Sequence, residues 1–314
     1  MIGVVCLNPA LDITHHVAAV DWAGVNRPSA VHTRPGGKGL NVARTLHALG
    51  AEVLVLGLAG GLTGTGVETA LASLGVPASW TRISAETRRT FTVVDQATGG
   101  SALFNEPGPH VSDGEFADFS VRYKEVLDGC AAVVLSGSLP PGVPADAYAG
   151  LTGLAAAAGV PVVLDAHGAA LRHGAAAGPA IVKPNLAELA ASTGRPLSDA
   201  GRPAVAAAAR ELRAVGAQAV VASLGAAGLH AVTGAGSWWA GPPGAVAGNP
   251  TGAGDAVAAA LAHGLVLGRP WPEQLRHAVA LGTASALAPV AGEFSLADYT
   301  RLLPAVSVDR DEAG

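Results

Sequence analysis

From about Leu46 onward, helical stretches of the chain alternate with short, continuous apolar runs at 53–58, 131–135, 160–164, 180–182 and 219–223. Alternation of this kind predicts a mostly parallel sheet with helices on both faces, joined by right-handed crossovers. Two segments break the rhythm. Residues 13–33 lack it, and 88–104 read as a hairpin in which Arg-Thr-Phe-Thr-Val-Val-Asp, a Gly-Gly turn and Ser-Ala-Leu-Phe follow one another. Together they predict a small sheet beside the main domain, which would then comprise 1–12, 34–87 and 105–314. No internal repeat and no long linker divides the chain. The Ala/Gly-rich stretch 168–178 lies between strands, and the charged tail 308–314 is expected to fray.

At 314 residues with half of them hydrophobic, the chain can bury one large α/β core. Ala and Gly dominate and aromatics are scarce, so that core is expected to use small side chains and close backbone contacts. A net charge of −5 provides no basic field for a nucleic-acid backbone, and an anionic substrate would need a local cluster of cations. Cys6 and Cys130 each sit in an apolar run, which suits packing better than disulfide or metal chemistry. The strand-like start Ile-Gly-Val-Val-Cys-Leu has no signal-peptide pattern, and no run of about 20 apolar residues suggests a membrane span. A cytoplasmic protein is the expectation.

The strongest chemical signal is Asn249-Pro250-Thr251-Gly252-Ala253-Gly254-Asp255, which leads into an apolar helix. Glycines just before a helix let backbone N–H groups converge on an anion, and the helix dipole adds to that pull. The segment is neither a P-loop, because no Gly-Lys-Ser/Thr follows the glycines, nor a dinucleotide fingerprint. A second Gly-rich turn, Arg34-Pro35-Gly36-Gly37-Lys38-Gly39-Leu40-Asn41, resembles a polyol-binding loop. Its glycines permit close approach, Asn41 offers a donor and an acceptor to hydroxyls, and Lys38 supplies a mobile cation. Asp12 follows the first strand, where its carboxylate could accept sugar hydroxyls. The histidines, among them His15, His16, His167, His173, His263 and His277, lack metal-ligand spacing.

Six ordered segments, Asn-Pro-Ala-Leu-Asp at 8–12, Gly-Gly-Lys-Gly-Leu-Asn at 36–41, Ser-Gly-Ser-Leu-Pro-Pro at 136–141, Lys-Pro-Asn-Leu-Ala-Glu at 183–188, Ser-Leu-Gly-Ala-Ala-Gly at 223–228 and the 249–255 segment, resemble those of the ribokinase (PfkB-type) sugar kinases over nearly the whole chain. The chain is most similar to their phosphosugar branch, which includes 1-phosphofructokinase and tagatose-6-phosphate kinase. The resemblance implies a ribokinase-like α/β fold whose small sheet, 13–33 with 88–104, is a lid over the sugar and a possible contact between two copies. It implies that Asp255 is the general base and that the Gly252, Ala253 and Gly254 amides form an anion hole for the transferred phosphoryl group. Asn185 and Glu188, the family's NxxE pair, would hold Mg²⁺ through water near ATP. Lys183, Asn185, Ser223, Gly225 and Gly228 would face the nucleotide, while Asp12, Gly37, Lys38, Asn41 and Ser138 would bind the sugar.

Arg27 and Arg88 match basic positions that this branch uses for the substrate's own phosphate, and arginine suits phosphate through paired donors. The expected activity is therefore ATP-dependent phosphorylation of a ketohexose phosphate: fructose 1-phosphate, tagatose 6-phosphate or fructose 6-phosphate. Three departures leave the sugar open. Arg89 adds a second cation, Ala256 stands where many relatives have Ser, and Asp165-Ala166-His167-Gly168 replaces a more usual Asp-Thr/Ser-Ser-Gly. The alternatives are a kinase of an unphosphorylated sugar or nucleoside and a non-catalytic sugar or nucleotide sensor. An intact Gly-Ala-Gly-Asp and NxxE argue against the sensor. Neither nucleic acid nor membrane is an expected partner.

Overall fold

The computed structural model describes residues 1–198, 201–244, 248–288, 290 and 292–311. The chain opens with β1 (Ile2–Cys6), all five residues buried, and turns into a first hairpin, β2 (Ala10–Val17) and β3 (Ala30–Gly36). Next come α1 (Lys38–Ala48), β4 (Val53–Ala59), α2 (Gly61–Ser73) and β5 (Ala78–Arg82). A second hairpin follows, β6 (Arg88–Asp95) and β7 (Ser101–Asn105). Alternation resumes through α3 (Asp113–Val126), β8 (Ala132–Ser136), α4 (Ala147–Ala157), β9 (Val162–Asp165), α5 (Gly168–Ala176) and β10 (Ile181–Val182). Then come α6 (Leu186–Thr193), α7 (Arg202–Ala214), β11 (Val220–Ser223), β12 (Leu229–Thr233) and β13 (Gly236–Gly241). The helices α8 (Ala253–Val266), α9 (Trp271–Leu287) and α10 (Leu296–Leu302) lead to β14 (Ser307–Arg310).

Ten strands form one sheet in the order β14-β13-β12-β11-β10-β9-β8-β1-β4-β5. It is parallel from β11 to β5, and β12, β13 and β14 add an antiparallel edge. All five apolar runs are strands of this sheet. Parallel strands covered on both faces bury every side chain, which is why they read as unbroken apolar runs. Val4 and Cys6 point into the layer beneath α1, α8 and α9, whereas Val5 and Leu7 point into the layer beneath α3 to α7.

The small side chains set the helix spacing. A Cβ on Gly282 of α9 would lie 2.9 Å from a methyl of Val257 on α8, so these two helices meet almost backbone to backbone. Both cysteines are buried and unpaired.

β2, β3, β6 and β7 form a separate four-stranded sheet in the order β3-β2-β6-β7. Its first hairpin is longer than the irregular segment 13–33. β2 begins at Ala10 and β3 ends at Gly36, so Asp12 and Arg34 are paired across the sheet. The expectation of a frayed tail fails in its first half. Ser307–Arg310 pair antiparallel with β13, and the Asp311 N–H donates to the Ser237 carbonyl at 2.8 Å. An edge strand tolerates charged residues that an internal strand would not.

Candidate active site

The carboxyl ends of β1, β8, β9 and β10 point toward the Gly-rich starts of α1 and α8, the place where open α/β sheets bind ligands. Both starts require glycine. Gly37 before α1 has φ 102° and Gly252 before α8 has φ 86°, values that an L side chain rarely adopts. Gly39 allows α1 to press on β1, because a Cβ there would lie 2.6 Å from the Cys6 Cβ.

Asp255 sits in the first turn of α8, 6% exposed, and accepts a hydrogen bond from Asn41 Nδ2 at 2.9 Å. Burial pushes its carboxyl up to about 7, and the nearby Asp165 charge adds to the rise. The Asn41 hydrogen bond and the Lys38 and Lys183 ammonium groups restrain it. Asp165 is wholly buried at the end of β9, with Lys38 Nζ at 3.4 Å and Lys183 Nζ at 3.3 Å from its Oδ1. Its Oδ2 is buried and has no hydrogen-bond partner among the described residues. Burial by itself would lower the Lys38 amine, but Asp165, Glu188 and Asp255 hold it above its ordinary value.

Beside this cluster a cavity of about 120 Å³ is lined by Cys6, Asn8, Lys38, Arg88, Ser136, Gly137, Ser138 and His167. A wider one of about 390 Å³ adjoins it, sharing Gly137, Ser138 and His167. Arg88, the first residue of β6, donates to Asn8 Oδ1 at 3.1 Å and to the Asn8 carbonyl at 3.3 Å. Asn8 in turn donates to Ser138 Oγ at 2.9 Å. Asp12 lies on β2 against Gly36, where a Cβ would overlap its carboxylate. Burial raises its carboxyl, restrained by the Thr90 hydroxyl and the charges of Arg88 and Arg44.

Two arginines lie elsewhere. Arg27 is in the exposed connection between β2 and β3 and does not line the cavity. Arg89 turns away, pairing with Glu106 at 2.9 Å and lying over the Phe91 ring.

Ser223 ends β11 beside Asn185, with which it forms an isolated bridge. The turn Gly225–Ala227 closes on Gly228, whose φ of 90° and contact with the Ala240 carbonyl exclude a side chain. Lys183 reaches beneath the start of α8, its Nζ 3.6 Å from where a Cβ on Gly254 would stand. The Ala253 N–H donates to the Pro250 carbonyl at 3.2 Å, which occupies one of the three amides expected to form the anion hole. The other early N–H groups of α8 have no acceptor within the helix.

Asn185 and Glu188 form a capping box at the start of α6, with both backbone-to-side-chain distances 2.8 Å. That leaves Glu188 Oε1, 3.8 Å from Lys38 Nζ, facing the same ammonium as Asp165. No group of three or more His, Cys, Asp or Glu able to hold a metal occurs among the described residues. Two carboxylates on one side of a site suit a hydrated Mg²⁺, which keeps most of its waters, rather than a metal caged by protein.

The motifs did not single out Asp165 or Asn8 for a role. A lone carboxylate closing the buried run Val-Val-Leu-Asp was the available signal for Asp165, because an internal strand tolerates a charge only at its end and only with partners. Asn8 had none, as its partners Arg88 and Ser138 are distant in sequence.

No helix among the described residues is long and apolar enough to cross a membrane. The pattern of the pfkB family carbohydrate kinases matches residues 5–296. The chain is 38% identical over 291 residues to the 1-phosphofructokinase of Rhodobacter capsulatus, covering 92% of each protein. Among solved structures, phosphofructokinase-2 from Escherichia coli in complex with potassium superposes with a TM-score of 0.91 at 31% identity, covering 96% of this chain and 98% of that one. The same enzyme in complex with fructose-6-phosphate gives 0.88 at 31% identity with equal coverage. Fold, motif order and similarity along nearly the whole length agree, and the chain belongs to the pfkB family of carbohydrate kinases.

Proposed function

We propose that this kinase phosphorylates a ketohexose phosphate, fructose 1-phosphate foremost, with Asp255 as the general base. The observation that carries the reading is the setting of Asp255: a buried carboxylate pushed up to about 7, at the glycine-rich start of a helix and beside two lysines. A base poised near neutrality can take a hydroxyl proton and still be ionised at working pH. Phosphoryl transfer otherwise needs positioning and charge stabilisation, which the early amides of α8 not taken by the Pro250 carbonyl, together with Lys183, would supply.

Arg88, Lys38, Asn8 and Ser138 line a small polar cavity suited to the substrate's own phosphate, and Asp12 and Asn41 would orient the sugar hydroxyls. A neutral sugar would need no such pair of cations. Arg27 would join them only if the small sheet moved or a second copy presented it. The small sheet is read as a lid that excludes water from the transfer. Exposed Val31, Leu103 and Phe104 on its strands support the lid as a contact between two copies. Sedimentation of Phe104→Asp against the wild-type protein tests this, with loss of a dimer expected.

Glu188 and Asn185, with Asp165 behind Lys38, would hold Mg²⁺ through water, where it neutralises the phosphate charge. Ser223, Gly225 and Gly228 form the wall for the nucleotide. A cytoplasmic metabolic enzyme is the corresponding location.

A coupled kinase assay over fructose 1-phosphate, fructose 6-phosphate, tagatose 6-phosphate and unphosphorylated ketoses tests the reading. Fructose 1-phosphate is favoured because the 38% identical relative is a 1-phosphofructokinase. Preference for an unphosphorylated ketose would overturn the phosphosugar assignment.

A further inference from the structure

A chain of hydrogen bonds leads from the small sheet to Asp255 through Asn41 and through Arg34, Arg44 and Glu293, to which no role has yet been given. Asn41 presents Nδ2 to Asp255 at 2.9 Å, and its Oδ1 accepts from Arg44 Nη1 at 3.4 Å. Arg44 lies one helical turn further along α1, on the same face, and is 10% exposed. Its Nη2 donates to Glu293 Oε1 at 3.3 Å. The same Glu293 oxygen accepts from Arg34 Nη1, and Arg34 is on β3 of the small sheet. Gly292 forms another wall of the Asn41 amide. With φ 71° and a hypothetical Cβ 2.6 Å from Asn41 Oδ1, that position excludes a side chain twice over.

The two ends of an asparagine amide are chemically opposite. Nδ2 donates to a carboxylate, whereas Oδ1 in its place would set two acceptors against each other. A guanidinium only donates, so Arg44 can pair with the amide only when the oxygen faces it and the nitrogen faces Asp255. Glu293 fixes the guanidinium through a charge-assisted bond and ties it to Arg34.

We propose that Arg44 and Glu293 are positioning residues that fix the orientation of the Asn41 amide, and through it the carboxylate of Asp255, and that Arg34 connects this arrangement to the small sheet. The proposal rests on Asp255 being the base. Asn41 is the one group donating a hydrogen bond to that carboxylate from α1. The other charged groups facing Asp255 are Asp165 at the end of β9, Lys38 at the start of α1 and Lys183 after β10. None of these touches Arg44 or Glu293 in the hydrogen bonds described.

The test is the pH profile of kcat with fructose 1-phosphate and Mg-ATP for Arg44→Met and Glu293→Gln, alongside Asp255→Asn and thermal melts of each. With the amide free to turn, Asp255 loses a donor that favours its ionised form. The acidic limb should move to higher pH by about half a unit or more, and kcat at pH 7 should fall about 5- to 20-fold. The KM for ATP should stay within about twofold of the wild-type value. In an Asn41→Ala background, Arg44→Met should shift the limb no further.

A fall in kcat with an unmoved limb would reduce Arg44 to a packing residue and overturn the proposal, as would an equal shift in the Asn41→Ala background. Should Arg44→Met fail to fold, Glu293→Gln and its rescue by Glu293→Asp carry the test, because Glu293 is 44% exposed. Full turnover by Asp255→Asn would instead refute the base assignment itself. These failures are therefore distinguishable.

Discussion

The two poles of the site are built on different principles. Around Asp255 the groups are set on the large sheet and its helices: buried Asp165 ends β9, buried Lys183 follows β10, and half-buried Lys38 and Asn41 open α1. At the cavity, which Lys38 also lines, the second cation hangs from the small sheet. Arg88 begins β6 and bonds to the turn after β1, while Arg27 stands in an exposed connection. If these are the chemical and recognition centres proposed above, the first is preformed on rigid elements, while the second would follow any movement of the separate sheet. Damage at the first pole should therefore fall on kcat and damage at the second on the KM of the sugar.

The largest effect is expected at the first pole. Asp255→Asn removes proton acceptance but little volume, so kcat should fall about 100-fold or more with substrate binding largely kept. Calorimetric titration of ATP and steady-state turnover check both halves. Retained turnover would break the comparison at its stronger end.

At the second pole, Arg88→Ala should raise the KM for the phosphosugar about 10- to 100-fold, the loss of a charge-assisted contact worth roughly 1.5–3 kcal/mol. The KM for ATP should hardly change. An equal loss toward ATP would show that the two poles are not separate.

A smaller effect is expected from Glu188→Gln. Glutamine at this position keeps the capping box, so the start of α6 should survive while the charge facing Lys38 is lost. The Mg²⁺ concentration for half-maximal activity should rise about 3- to 10-fold, with a melting temperature within about 2 °C of wild type. An unchanged Mg²⁺ titration would leave Glu188 as a helix cap alone.

The smallest effect is one of stability. The folded carboxyl of Asp255 lies at about 7, against an ordinary value of 3.8. The folded state therefore binds the proton more tightly than the unfolded chain, and the associated stability is full below about pH 4 and is lost as pH rises through 7. Asp255→Asn removes that loss, so the inactive variant should melt about 2–4 °C higher than wild type at pH 8 and show less difference at pH 5. Differential scanning calorimetry at the two pH values measures it.

Much of this architecture could be read from the residues. Unbroken apolar runs marked the parallel strands because both faces of the sheet are covered, and the Gly-Gly turn at 99–100 marked the hairpin of β6 and β7. The glycines before Asp255 announced a helix start, and α8 begins at Ala253.

What local pattern could not show was the pairing of distant charges. Lys38 and Asp165 are 127 residues apart, and Arg88 and Asn8 are 80 apart. Similarly, nothing near Arg27 distinguished an outward side chain from one lining the cavity. Arg89 follows Arg88 directly, and strand alternation alone sends the two to opposite faces. The tail misled because its charges are those of a loop, although an edge strand accepts them.

The most direct test of a preformed base is the pH dependence of kcat/KM, which reports the groups of the enzyme before substrate binds. A preformed base gives an acidic limb in kcat/KM for the phosphosugar with its midpoint near the Asp255 value of about 7, a tenfold fall per unit below it, and no such limb in the residual activity of Asp255→Asn. A kcat/KM that stays flat from pH 8 down to pH 5 would contradict it.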